Sequence, residues 1–406
     1  MVDRTRGRIF AALLRLRPAS RKRLALATGA SPATVTRAVD ALMTEGLVVE
    51  VAEVAADRRG RREVLLDVAP GAGLAVGIDL GASRTRAVAV DATGTARATA
   101  DVPTPATLGP AELARWLQDI AEEVGDRARD AGAVPGGARP SPAPRGLALA
   151  VGLPGAVAAA ASDPATGAVR RISNAANLRQ VEDPAFLEAL EAGSGGALVA
   201  VDNDANLALV GEQHAGAAAD ATSAAMVTLG AGLGVGLAVD GAIVRGRRGL
   251  VGEFGQIPAG PEGLTLEALV TGPGLLARAV AAGIALDDPA AVFRPGPAAA
   301  LRADFDRALT TVLAAVAVAS DPDVIVLGGG IAKSLTGDLA RYEEALAATL
   351  TVAPRVVATE LGDLAGAAGA AVTALHGLYA GWGADPSALA GAPAPGTLTR
   401  EALDAL

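Results

Sequence analysis

The chain has no cysteine in its 406 residues. Disulfides and thiolate metal sites are excluded, and two histidines, His214 and His376, well apart in sequence, supply no zinc ligand set. Long apolar runs are also missing. Stretches such as Val312 to Ala319 and Leu147 to Val151 stop at Ser or Gly, far short of the ~20 residues a membrane span needs. The opening MVDRTRGRIF does not read as a signal peptide, so a cytoplasmic protein with no membrane partner is expected. Aromatic residues make up 2% of the chain, and lysine occurs only at Lys22 and Lys333. Apolar residues, at 51%, and 50 glycines are plentiful, enough for substantial cores in two or three domains.

The net charge of -9 hides an asymmetry. Residues 1–70 carry thirteen Lys/Arg against eight acids, a balance of +5 that leaves -14 for the rest. The basic end therefore calls for a different partner from the acidic body. Its pattern reads helix, helix, turn, helix and a two-stranded ribbon. Ser20 can cap one helix, Gly29 permits a tight exit, and Ser31 followed by Pro32 supplies an N-cap and an N1 proline for the next. Val35, Ala38, Val39 and Leu42 fall on one face. Ser31, Thr34, Thr36 and Arg37 are left where a recognition helix reads bases, and Arg58, Arg59, Arg61 and Arg62 sit in a loop suited to phosphates. Residues 1–70 are thus expected to form a winged helix-turn-helix bound to double-stranded DNA.

From Gly73 the chain alternates strands and helices, an α/β pattern. Helices are expected near 111–131, 184–192, 264–283, 299–320 and 364–381, and a Pro/Gly-rich stretch before Leu147 reads as a surface insertion. Three strands run into glycine turns, at Asp79-Leu80-Gly81-Ala82-Ser83, at Gly230-Ala231-Gly232 with Gly234 beyond, and at Gly328-Gly329-Gly330. Glycine after a strand lets backbone N–H groups approach phosphate. Three such turns in one α/β chain fit a two-lobed actin-like ATPase body (ribonuclease H-like). The lobes are expected at 74–196, with 382–406 returning to it, and at 197–381.

Combined, GIDLGAS, GLPGAV, VDNDANLALVGE, TLGAGLGVGLAVDGAIVRG, GEFGQ and VIVLGGGIA resemble the ROK family (repressor, open reading frame, kinase), in its subgroup with an N-terminal winged helix-turn-helix. The resemblance covers nearly the whole length. It implies a sugar site made by Gly155, Asn203, Asp204, Glu253, Gln256 and Glu267, with Asp204 as the catalytic base if the chain is a kinase. A phosphate site would use Asp79, Gly81, Ser83, Gly230, Gly232, Gly234, Gly328, Gly329 and Gly330. Asn203 and Asp204 could equally form an Asx turn capping a helix from Ala205. A homodimer or dimer of dimers is implied.

The departures from the family pattern matter as much. Ala82 stands where kinases of the family have glycine, and Ala231 where they have threonine; the histidine and cysteines that bind zinc give way to Gln256 and no cysteine. The implied function is a sugar-responsive DNA-binding regulator, a repressor of carbohydrate metabolism, needing no cofactor and no zinc. The alternative is an active ATP-dependent sugar kinase carrying a DNA-binding domain, which would use ATP and magnesium.

Overall fold

A computed structural model describes residues 2–55, 62–131, 146–159, 169–260, 263–394 and 398–406. Arg58, Arg59 and Arg61, and most of the Pro/Gly-rich insertion, lie outside them.

The N-terminal module runs α1 (Val2–Leu16), β1 (Ala19–Ser20), α2 (Arg21–Thr28), α3 (Pro32–Thr44), β2 (Val48–Ala55) and β3 (Arg62–Val68). Its local signals act as their chemistry predicts. The Ser20 hydroxyl accepts from Arg23 N, the Ser31 hydroxyl from Thr34 N, and Gly29 closes α2 at φ 68°. Val35, Ala38, Val39 and Leu42 are buried. The expected two-stranded ribbon gains a third strand, because β1 pairs with β3 at Ala19–Leu66 and Ser20–Leu65.

The body opens with β4 (Leu74–Leu80), β5 (Arg84–Asp91), β6 (Ala96–Pro103), α4 (Pro110–Ala131), β7 (Leu147–Leu153), β8 (Ala156–Ala159), β9 (Val169–Ser173), α5 (Pro184–Gly193), β10 (Leu198–Asn203) and α6 (Asp204–Ala215). It continues with β11 (Ala224–Leu229), β12 (Leu233–Val239), β13 (Ala242–Ile243), α7 (Leu266–Val270), α8 (Gly272–Ala281), α9 (Ala299–Ser320), β14 (Val324–Gly328), α10 (Leu339–Ala347), β15 (Arg355–Ala358), α11 (Ala365–Gly381) and α12 (Arg400–Asp404). Two five-stranded sheets result, ordered β10-β7-β4-β5-β6 and β13-β12-β11-β14-β15. In each, three antiparallel strands joined as hairpins are extended by two parallel strands on the side of the first. The repeated topology is that of the two-lobed actin-like body, here carrying an N-terminal winged helix-turn-helix.

One boundary is corrected. The strand beginning near 197 and the helix 364–381 were expected in the second lobe. Instead, β10 pairs in parallel with β7, and α11 lies on β4, β5 and β7 of the first sheet. The glycines of α11 explain the fit. A Cβ at Gly369 would fall well inside contact with the Leu207 carbonyl oxygen of α6, and one on Gly211 of α6 would lie 2.5 Å from Ala365 O. Backbone-to-backbone approach of this kind needs the missing side chain.

The N-terminal module shares its core with the first lobe. Ile9, Phe10, Leu13 and Leu14 of α1 belong to the same buried cluster as Leu375, Leu378 and Tyr379 of α11. Phe10 meets Tyr379 edge-on at 6.4 Å, and the Tyr379 hydroxyl donates to Ala92 O at 2.8 Å. Residues 382–394 return to this junction: Asp385 N donates to Gly7 O and Ala394 N to Leu14 O. Arg17 completes the joint, bonded to Asp67 of β3 at 2.6 Å and to the Thr93 carbonyl of the β5–β6 turn.

Candidate functional site

A cleft of about 830 Å³ opens between the two sheets. Asp79, at the end of β4, and Asp204, the first residue of α6, both line it, as do Gly81, Ser83, Gly230, Gly329 and Gly330. Ala82 and Ala231 are in the same wall. The strand-to-glycine turns thus converge on one cavity, because each leaves the same end of its sheet.

Three further glycines of the expected phosphate set stand behind residues that line the cleft or beside it. A Cβ on Gly234 would meet Thr228 Oγ1 of the paired strand β11 at 2.6 Å and Ala205 Cβ of α6 at 3.1 Å. With Gly236, two residues along the same face of β12, Gly234 lets α6 sit close on the strand. Gly328 packs beneath Met226 and Thr359, and Gly232 has Glu267 and Asn177 as its nearest side chains.

The polar end of the site is built around the start of α6. Asn203 is the N-cap, its Oδ1 accepting from Ala205 N and Asn206 N, while its Nδ2 donates to Gly155 O at 2.9 Å. Capping and site-building are therefore done by one side chain, and the two readings of Asn203 do not exclude each other. Gly155 takes φ 91° with Ser173 O 2.5 Å from any Cβ, so only glycine fits. The charge of Glu267 adds to the cost of ionising Glu253, and Glu253 adds to that of Asp204. Gln256 Nε2 donates to Glu253 Oε2 at 2.9 Å, which orients that carboxylate. The loop carrying these groups is pinned at its neck, with Ala259 N and Gly260 N both bonded to Leu264 O.

Sequence reasoning missed Asn174 and Asn177. Asn174 adopts φ 64° and lowers the cost of ionising Glu253, and Asn177 Nδ2 donates to Ala231 O at 3.1 Å, crossing from the first lobe to the second. The available signal was the Asn-Ala-Ala-Asn spacing directly after β9.

Burial dominates the titration of the carboxylates. It pushes Asp79 up to about 7, helped by Asp204, and Asp204 up to about 6, partly offset by the Ala205 N–H. Glu253 and Glu267 are also raised by burial. A carboxyl whose folded pKa exceeds its unfolded value costs nothing below the unfolded value; the cost grows as pH rises toward the folded pKa and is complete above it. Asp204→Asn is accordingly expected to stabilise the ligand-free protein by about 2 kcal/mol at pH 8, allowing for its partial exposure, with little gain at pH 3.5. Urea melts at the two pH values measure this; a variant less stable than wild type at pH 8 would contradict it.

The histidines, distant in sequence, come together on α6 and α11. Burial and the proximity of His376 lower His214 to about 4, and His376 bonds Ala392 O at 2.6 Å. Both are packing residues, and among the described residues no group of three His, Cys, Asp or Glu gathers to hold a metal.

On the N-terminal winged helix-turn-helix, Ser31, Thr36 and Arg37 are exposed and Thr34 half-buried, its hydroxyl bonded to Ser31 at 2.9 Å. Arg62 is exposed and paired with Glu53 at 2.8 Å. Among the described residues no helix is long and apolar enough to cross a membrane.

The chain is 37% identical over 183 residues to the bifunctional enzyme NanE/NanK of Brucella suis, covering 43% of this chain and 34% of that one. It is 27% identical over 238 residues to the xylose repressor of Caldicellulosiruptor bescii, covering 58% and 54%. The chain thus spans about a third to a half of the length of these curated relatives. A crystal structure described as a ROK family transcriptional regulator, homologous to the E. coli MLC protein, superposes with a TM-score of 0.71 at 21% identity, covering 95% of this chain and 99% of that one. The ROK family profile matches residues 75–376. Motifs, topology and this match agree: the chain belongs to the ROK family.

Proposed function

We propose that the protein is a DNA-binding transcriptional regulator, acting as a repressor, whose kinase-like body senses a sugar or sugar derivative. One observation carries the reading: the recognition module shares a core with α11, and α11 lies against α6, whose first residue is Asp204. A ligand bound at Asn203, Asp204, Glu253, Gln256 and Glu267 is thereby two helices from α1. Carboxylates and amides in this mixture suit hydroxyl groups, each of which donates and accepts. The xylose repressor among the relatives agrees with this. A homodimer would set two recognition helices about 34 Å apart on a pseudo-palindrome, and ligand-driven lobe closure would alter that spacing.

The test is a thermal-shift screen of sugars and sugar phosphates, followed by operator binding with the best hit at stated salt. A change in operator affinity of about 5-fold or more is expected. Indifference of operator affinity to every sugar would refute the sensing role.

The raised pKa of Asp204 favours a second reading, since a base near the working pH suits proton abstraction from a sugar hydroxyl. ATP and magnesium would supply the phosphoryl group and its charge neutralisation, with Asp79 the carboxylate placed to face the cation. Ala82 and Ala231 in the cleft wall argue against efficient transfer. ADP release in the presence of hexoses, lost in Asp204→Asn, would establish the kinase.

A further inference from the structure

The Asp363 carboxylate is one of the ties between the two lobes, and it lies in the cleft. Asp363 lies in the turn Gly362–Leu364 just before α11. Its Oδ2 accepts from Lys333 Nζ at 2.7 Å and from Arg86 Nη2 at 3.4 Å. Arg86 belongs to β5 of the first sheet, and Lys333 follows β14 of the second. All three line the cavity that the glycine turns at 81, 230, 329 and 330 also border.

Neither cation is saturated by this arrangement. Arg86 Nε is buried without a hydrogen-bond partner, the Asp101 carboxylate standing 3.5 Å away in poor alignment. Lys333 has three donors and one acceptor among the described residues, and its side chain is 61% exposed. Burial alone would raise the Asp363 pKa, yet Lys333, Arg86 and Arg400 hold it below the ordinary carboxylate value, so it stays charged.

We propose that Asp363 is the resident counter-ion of an anion site formed by Arg86 and Lys333, and that a phosphate-bearing ligand entering the cleft takes its place. A phosphate offers three acceptor oxygens and a larger charge to the same donors. The ion pairs it must break are partly exposed and screened by salt, which makes them weak competitors. Displacing Asp363 removes the carboxylate bridge between Arg86 and Lys333, and with it one tie between the lobes. It also frees the residue two positions before α11, whose other end packs on α1. The site is separate from the hydroxyl-binding end at Asn203 and Glu253, and the proposal stands or falls independently of the ligand bound there.

Titration calorimetry at low, stated salt tests this on the full chain with ADP, inorganic pyrophosphate and glucose 6-phosphate as probes. Asp363→Asn is expected to bind at least one of them about tenfold more tightly than wild type, and Lys333→Gln about tenfold more weakly. The ADP and glucose 6-phosphate arms distinguish a nucleotide from a sugar phosphate as the source of the anion. Unchanged or weaker binding of all three probes by a folded Asp363→Asn protein would overturn the proposal. Should that variant not fold, Asp363→Ser takes its place, and Lys333→Gln matching wild type for every probe would overturn it equally.

Discussion

Phe10→Ala is expected to lower the free energy of unfolding by about 3–5 kcal/mol and to remove operator binding with it. Phe10 is fully buried and belongs to the cluster that runs from α1 through α11. Its ring meets Tyr379 edge-on, an arrangement worth about 0.5–1.5 kcal/mol beyond area burial. Truncation leaves a void walled by two modules, so neither can relax without moving the other. Calorimetry of the full chain should show the main transition displaced. A shift limited to a small, separate transition, with the body melting as before, would mean that the N-terminal module folds as an independent unit.

The second large effect is expected at Gly369. A methyl group there cannot coexist with the Leu207 carbonyl at the present helix separation, and the obstructing atom is backbone, which cannot rotate away. Gly369→Ala should force α11 from α6 and cost about 3 kcal/mol or more. Since α6 begins at Asp204 and follows Asn203, ligand affinity should fall together with stability. Gly381 in the same helix supplies the control: nothing lies within 4 Å of a Cβ there, so Gly381→Ala should stay within about 1 kcal/mol of wild type. Denaturant melts of the two variants decide the point; equal stabilities would show that the close crossing is not a constraint.

Local chemistry was legible in the sequence where one residue settles the matter. The Ser20 and Ser31 caps, the left-handed Gly29 and the helix at 299–320 all follow from short-range rules. The motif resemblance likewise groups Asn203, Asp204, Glu253 and Glu267, and the fold sets them near one another. What stayed hidden depends on partners distant along the chain. An apolar run such as Leu198–Val201 carries no mark of which sheet it joins, and its pairing with β7 had to be seen. Gly234 reads as one more phosphate glycine until α6 is found lying on it. Asn174 and Asn177 look like ordinary turn residues, and Lys333 and Asp363 look like unrelated surface charges. Their roles exist only once the lobes face each other.

The contact of residues 383–394 with Gly7 and Leu14 of α1 bears on how such chains could be recombined. A chimaera cut near residue 70 would carry a foreign α1 onto a seat shaped by a different chain, leaving Tyr379, Trp382 and the Gly383 carbonyl against mismatched side chains. Exchanging the N-terminal module between relatives therefore calls for transplanting residues 1–70 and 382–394 as a pair.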